Sequence, residues 1–96
     1  MKKLPPIHPG EILKEEYLVP LELSANAFAK ILSVPANRIT RIINGSTSVT
    51  AETALMLAKA LRTSPEFWMN LQSRYDLLSA QDKSGPLEHI KPVVAA

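Results

Sequence analysis

Residues Ser24–Asn44 read SANAFAKILSVPANRITRIIN. Phe28, Ala29, Ile31 and Leu32 recur at helical spacing, and Ile39, Ile42 and Ile43 do so again after a break. Ser33-Val34 makes the break, and Pro35 restarts the chain where its fixed φ suits a first helical turn. Ser24 stands at the N-cap position of the first helix, where its hydroxyl can satisfy a free backbone amide. Asn44-Gly45 closes the second, because glycine readily takes the left-handed conformation of a helix end. The stretch is therefore two short helices joined by a tight corner. Ala29 lies where the helices press together, and Phe28, Leu32, Val34, Ile39 and Ile42 form a small core behind the corner. Such a corner makes the second helix a rigid projecting rod, and a DNA major groove about 12 Å wide accepts one. Ser33 stands where such a corner often has glycine, an imperfect match.

Charge supports the same reading. Leu23–Ala51 carries Lys30, Arg38 and Arg41 but no aspartate or glutamate, and all 9 acids lie outside it. A helix pair cleared of negative charge points to a phosphate backbone. On the rod, Asn37 and Arg41 are one turn apart and adjacent, with Ala36 and Thr40 on the same side. Arginine grips guanine O6 and N7, asparagine does likewise for adenine, and a threonine methyl touches thymine. Arg38 points more to one side, toward phosphate, and Asn26, Lys30, Ser46 and Thr47 flank the rod as backbone-positioning donors. The bland alternative is an ordinary solvated face of exposed arginine and asparagine.

Working outward, the chain of 96 residues suits one domain, and its 46% hydrophobic content is enough for a compact core. The net charge of +2 is mild, so position rather than total charge carries the nucleic-acid reading. Residues 1–8 (MKKLPPIH) read as an extended N-terminal arm. A first helix begins at Pro9 or Gly10 and stops at Pro20, with Glu11, Glu15 and Glu16 on its solvated face. Thr50 caps a fourth helix, with Thr53 where a capping-box glutamate would stand. Thr63 or Ser64 caps a fifth, which opens on Pro65 and runs to about residue 80; residues 81–96, broken by Gly85-Pro86, are a flexible tail. The expected fold class is all-α with five helices, organised as arm 1–8, helical domain 9–80 and tail 81–96.

Other chemistries find little footing. No cysteine is present, so thiolate metal sites and disulfides are excluded and a reducing, cytoplasmic setting is expected. No apolar run long enough for a signal peptide or membrane span occurs. His8 and His89 lie in opposite terminal segments and read as surface histidines. The 3 glycines form no phosphate loop, and no acid–base pair or nucleophile constellation emerges. No catalytic residue, metal or cofactor is expected, and an enzyme is the most distant reading. The apolar stripe Phe67, Trp68, Leu71, Tyr75 and Leu78 admits two readings at once. It closes the core, and it offers a two-fold interface, since palindromic operators call for a dimer.

The stretches HPGEIL (8–13), RI-x-x-IINGS (38–46) and EFWMNLQ-x-x-YDL (66–77) narrow the picture. With them, residues 7–78 resemble the HigA-type antitoxins of the phage-repressor-like (Xre) helix-turn-helix family. That resemblance implies a lambda-repressor-like five-helix domain with a C-terminal dimerisation helix. It implies a homodimer on a palindromic operator of double-stranded DNA, repressing its own toxin–antitoxin operon. It also implies capture of a HigB-type toxin, a ribosome-dependent RNA-cleaving nuclease. The family's DNA-reading role falls on Ala36, Asn37, Thr40 and Arg41, and its dimerisation role on Phe67, Trp68, Leu71 and Tyr75. The chain departs from many relatives at Ala25, where they have a glutamine that contacts DNA. An orphan regulator without a toxin, and a protein-interaction module that no longer reads DNA, are the competing readings.

Overall fold

The computed structural model describes residues 5–95, so the first half of the expected arm, 1–4, lies outside the described residues. Helix α1 opens as Pro9–Ile12 and continues as a π-helical stretch, Leu13–Leu18. Helices α2 (Ala25–Leu32), α3 (Ala36–Ile43), α4 (Ala51–Leu61) and α5 (Pro65–Ser84) follow, with no strand among the described residues. The all-α expectation holds. The ordinary helical geometry expected through Pro20 does not, because from Leu13 onward the bonding widens, with the Val19 N–H reaching Lys14 O at 2.9 Å. In an α-helix of about 3.6 residues per turn, Leu13 and Leu18 would point apart. Bonding from i to i+5 stacks them on one face, and both are buried.

Each helix start has a local cause. Ser24 Oγ accepts the Ala27 N–H at 3.0 Å, Thr50 Oγ1 that of Thr53 at 3.3 Å, and Ser64 Oγ that of Phe67 at 3.0 Å. Ser64 rather than Thr63 is the fifth cap. Thr63 Oγ1 is used instead to accept the Trp68 indole N–H at 2.7 Å. Only α3 begins without a side-chain cap, on Pro35 at φ −61°.

The ends of the first four helices share one motif. The N–H of Leu23, Val34, Ser46 and Thr63 each reaches back to the carbonyl five residues earlier, at 2.8–3.1 Å. The residue before each of them, Glu22, Ser33, Gly45 or Arg62, sits at positive φ. This is the Schellman arrangement, which occupies otherwise unpaired terminal carbonyls. Ser33, at φ 59°, does here what glycine does at Gly45.

The core gathers Leu13 and Leu18 of α1, Phe28 and Ala29 of α2, Ile39 and Ile42 of α3, Val49, Ala54 and Leu57, and Trp68 of α5. Phe28 and Ile39 lock α2 against α3, so α3 projects as a rod with one face buried and the other free. Trp68 is the largest fully buried side chain, and it meets Tyr17 and Phe67 at centroid distances of 5.7 and 5.0 Å.

Candidate nucleic-acid interface

The sequence ANRITRII gives α3 its two faces: Ile39 and Ile42 are buried, while Ala36, Asn37 and Arg41 are exposed. Arg38 and Thr40 lie half-buried between them. Beyond Ile43 the chain folds back on the helix. The N–H groups of Gly45 and Ser46 reach Ile42 O at 3.0 Å and Arg41 O at 2.8 Å. This turn lays Ser46, Thr47 and Ser48, all exposed, alongside the rod.

The result is an open cleft lined by Asn37, Arg38, Arg41, Thr47, Ser48 and Thr50. Four expected site residues thus converge: Asn37, Arg38, Arg41 and Thr47. Ala36, Thr40 and Ser46 lie beside the cleft, and Asn26 and Lys30 are exposed on α2. Thr40 turns its hydroxyl back to Asn37 O at 3.3 Å. The sequence reading missed Ser48 and Thr50. It also missed Glu52, whose Oε1 meets Arg38 Nη2 at 3.2 Å from the first turn of α4. The acid-free segment ends at Ala51, so the first acid after it reaches back into the basic face.

A collar surrounds the C-terminal end of α3. A Cβ on Gly10 would overlap the carbonyl oxygen of Ile42, so α1 packs against the last turn of α3 through bare backbone. His8 Nδ1 accepts the Gly10 N–H at 2.9 Å, its ring lies beside Gly45, and it meets Tyr75 edge-on at 4.8 Å. The surface reading of His8 is therefore corrected: it is buried as the cap of α1 and wedged between two other elements. From α5, Gln72 Oε1 accepts the Val49 N–H at 2.7 Å, and Gln72 Nε2 donates to Asp76 Oδ1 at 2.8 Å. Two of the distinctive stretches, HPGEIL and EFWMNLQ-x-x-YDL, thus meet where the third, RI-x-x-IINGS, ends.

Along α5, Phe67 is 38% exposed while Leu71, Tyr75 and Leu78 are half-buried, lining a groove with Pro5, Pro6 and Ile7. Trp68 must leave the set expected at an interface. At 0% exposure its ring is spent on the core and presents no surface to a second molecule. Leu77, 64% exposed on the same helix, was not anticipated. No group of His, Cys, Asp and Glu among the described residues is placed to hold a metal, and none of the described helices is long and apolar enough to cross a membrane.

A corner of two helices with a free basic rod defines a helix-turn-helix domain, and the helix-turn-helix family model matches residues 13–68. An addiction module antidote protein of the HigA family from Coxiella burnetii is 52% identical, with a TM-score of 0.87, covering 93% of this chain and 99% of that one. Pseudomonas aeruginosa antitoxin HigA, solved with the higBA promoter, is 38% identical with a TM-score of 0.88, at 93% and 99% coverage. Antitoxin HigA-1 of Vibrio cholerae is 38% identical over 78 residues, 81% of this chain and 73% of the relative. The chain belongs to the HigA antitoxin family of helix-turn-helix proteins.

Proposed function

We propose that this protein is a DNA-binding antitoxin that represses its own operon as a homodimer and neutralises a HigB-type toxin. The observation that carries the DNA reading is the convergence of Asn37, Arg38 and Arg41 with the hydroxyls of Thr47 and Ser48 in one exposed cleft. In this reading α3 enters the major groove. Arg41 and Asn37 address base edges, with Thr40 and Ala36 beside them, while Arg38, Ser46, Thr47, Asn26 and Lys30 serve the phosphates. Phe67, Leu71, Tyr75 and Leu78 of α5 form the two-fold contact. The solved promoter complex of the Pseudomonas relative supports the DNA partner. The toxin partner is supported by family membership, and gene neighbourhood speaks to it directly: a small toxin gene beside this one favours it over an orphan regulator. The assigned roles are binding roles throughout, with no catalytic step, and a DNA partner supports a cytoplasmic setting.

The test is titration of the full chain against a duplex covering its own promoter at two salt concentrations. Phosphate contacts predict a steep loss of affinity with salt, with a log–log slope near −0.9 per phosphate neutralised. Footprinting should find two half-sites about 34 Å apart, or a multiple of that spacing. Salt-independent binding, or one unpaired half-site, counts against the reading.

A further inference from the structure

Gln72 is 4% exposed, one helical turn beyond Trp68, and does not line the exposed cleft. Its amide has both ends occupied: the oxygen takes the Val49 N–H, and the nitrogen gives to Asp76. The opposite orientation would set donor against donor and acceptor against acceptor, so the two partners allow one orientation only. Val49 directly follows Thr47 and Ser48 and precedes Thr50, the cap of α4. The loop therefore has two kinds of attachment. Its first half folds onto the last carbonyls of α3, and its second half is fastened to α5 by a side chain.

We propose that Gln72, oriented by Asp76, is a positioning residue for operator binding. It fastens the Thr47–Ser48 segment in place before DNA arrives, so the segment need not be ordered on contact. Because Leu71 and Tyr75 flank Gln72 on α5, the same residue ties the loop to the helix assigned above to the two-fold contact. This inference rests on the DNA reading of the preceding section.

The experiment measures affinity of the full chain for the promoter duplex across a salt series, beside thermal melting of each variant. Gln72→Ala leaves the Val49 N–H without its acceptor and is expected to weaken binding about tenfold. The salt slope should become shallower by roughly one for each phosphate contact the loosened loop gives up. Asp76→Ala, at an exposed position, should give a smaller loss in the same direction. Gln72→Glu alone sets two carboxylates together and should bind poorly. Combined with Asp76→Asn it exchanges amide and carboxylate, restores both hydrogen bonds, and should recover affinity and slope. A purely structural role would lower the melting temperature and leave the slope of the folded protein unchanged. If Gln72→Ala fails to fold, Asp76→Ala and the exchanged pair carry the test. Wild-type slope and affinity in the folded single variants overturn the inference, as does an exchanged pair no better than Gln72→Glu. A wild-type chain that does not bind the duplex overturns the DNA reading as well, a distinguishable result.

Discussion

The outward face of α3 and the collar at its C-terminal end are built on different principles. The face is side chains that α3 and the turn after it supply within a short stretch: Asn37, Arg38, Arg41, Thr47 and Ser48. The collar joins residues from the start of α1, the end of α3 and the middle of α5, far apart in the chain. The face can be edited without disturbing the fold, because exposed polar residues hold little of the core. The collar is less tolerant, since it depends on a missing Cβ, one ring against another and a hydrogen bond at a buried amide, and Gly10 is its least forgiving point. The contrast teaches that aim and chemistry are separate: in the proposed reading the face supplies contacts, while the collar sets where the rod points.

The hardest blow to that contrast is Gly10→Val. A β-branched side chain there runs into the Ile42 carbonyl, a backbone atom that cannot rotate away. We expect a loss of about 3 kcal/mol in stability, at the upper end for an overpacked site, read by denaturant unfolding. DNA affinity should fall with the folded fraction. A stable Gly10→Val protein would mean that α1 can retreat from α3, and the collar would lose its meaning as a constraint.

Arg41→Ala is the complementary case. Arg41 is exposed in the last turn of α3, where its charge also suits the negative end of the helix. Removing it should cost roughly 1–3 kcal/mol of specific operator binding if it grips a guanine, with discrimination at that base pair relaxed. Stability should shift by about 0.5 kcal/mol or less. An unchanged operator affinity would take Arg41 out of the reading set, and a large drop in melting temperature would erase the difference between face and collar.

The face was legible in the sequence because its determinants are local. Helical spacing of Phe28, Ile39 and Ile42 gave the corner, Gly45 its end, and the absence of acids its electrostatic sense. Ser24 and Thr50 cap as expected because an N-cap needs only a hydroxyl and its own next turn. Ser33 was legible only as a departure from glycine. The structure shows the departure absorbed, with serine in the left-handed region and the terminal carbonyls still bonded. His8 was misread although a local clue existed: it directly precedes Pro9 in a first turn, the place of an N-cap. Its burial, however, depends on Tyr75, which only the folded chain brings near. The π stretch was invisible, since Leu13 and Leu18 look like any two leucines on an ordinary helix. Gln72 sat inside the stretch most specific to the family. Its spacing said nothing of Val49, because a side chain bonding one amide of a distant loop leaves no periodic trace.

Glu52 ties the Arg38 side chain of the face to the first turn of α4, so its removal sharpens the comparison with the smallest expected effect. The carboxylate is 72% exposed on the side chain, and its partner Arg38 is 37% exposed, so solvent screens the pair. Its worth to stability, together with that of an acid in the first turn of α4, is about 0.5 kcal/mol. Toward DNA the sign reverses. Glu52 brings negative charge beside the cleft proposed to meet phosphates, and it holds Arg38 in a competing ion pair. Glu52→Gln should therefore melt slightly earlier yet bind promoter DNA tighter by about 0.5 kcal/mol, a little over twofold. The gain should fade as salt rises and the screening length contracts. Weaker binding by this variant at low salt would give the carboxylate a different task, either aiming Arg38 or accepting from a cytosine amino group. Glu52 would then belong to the reading face rather than standing against it.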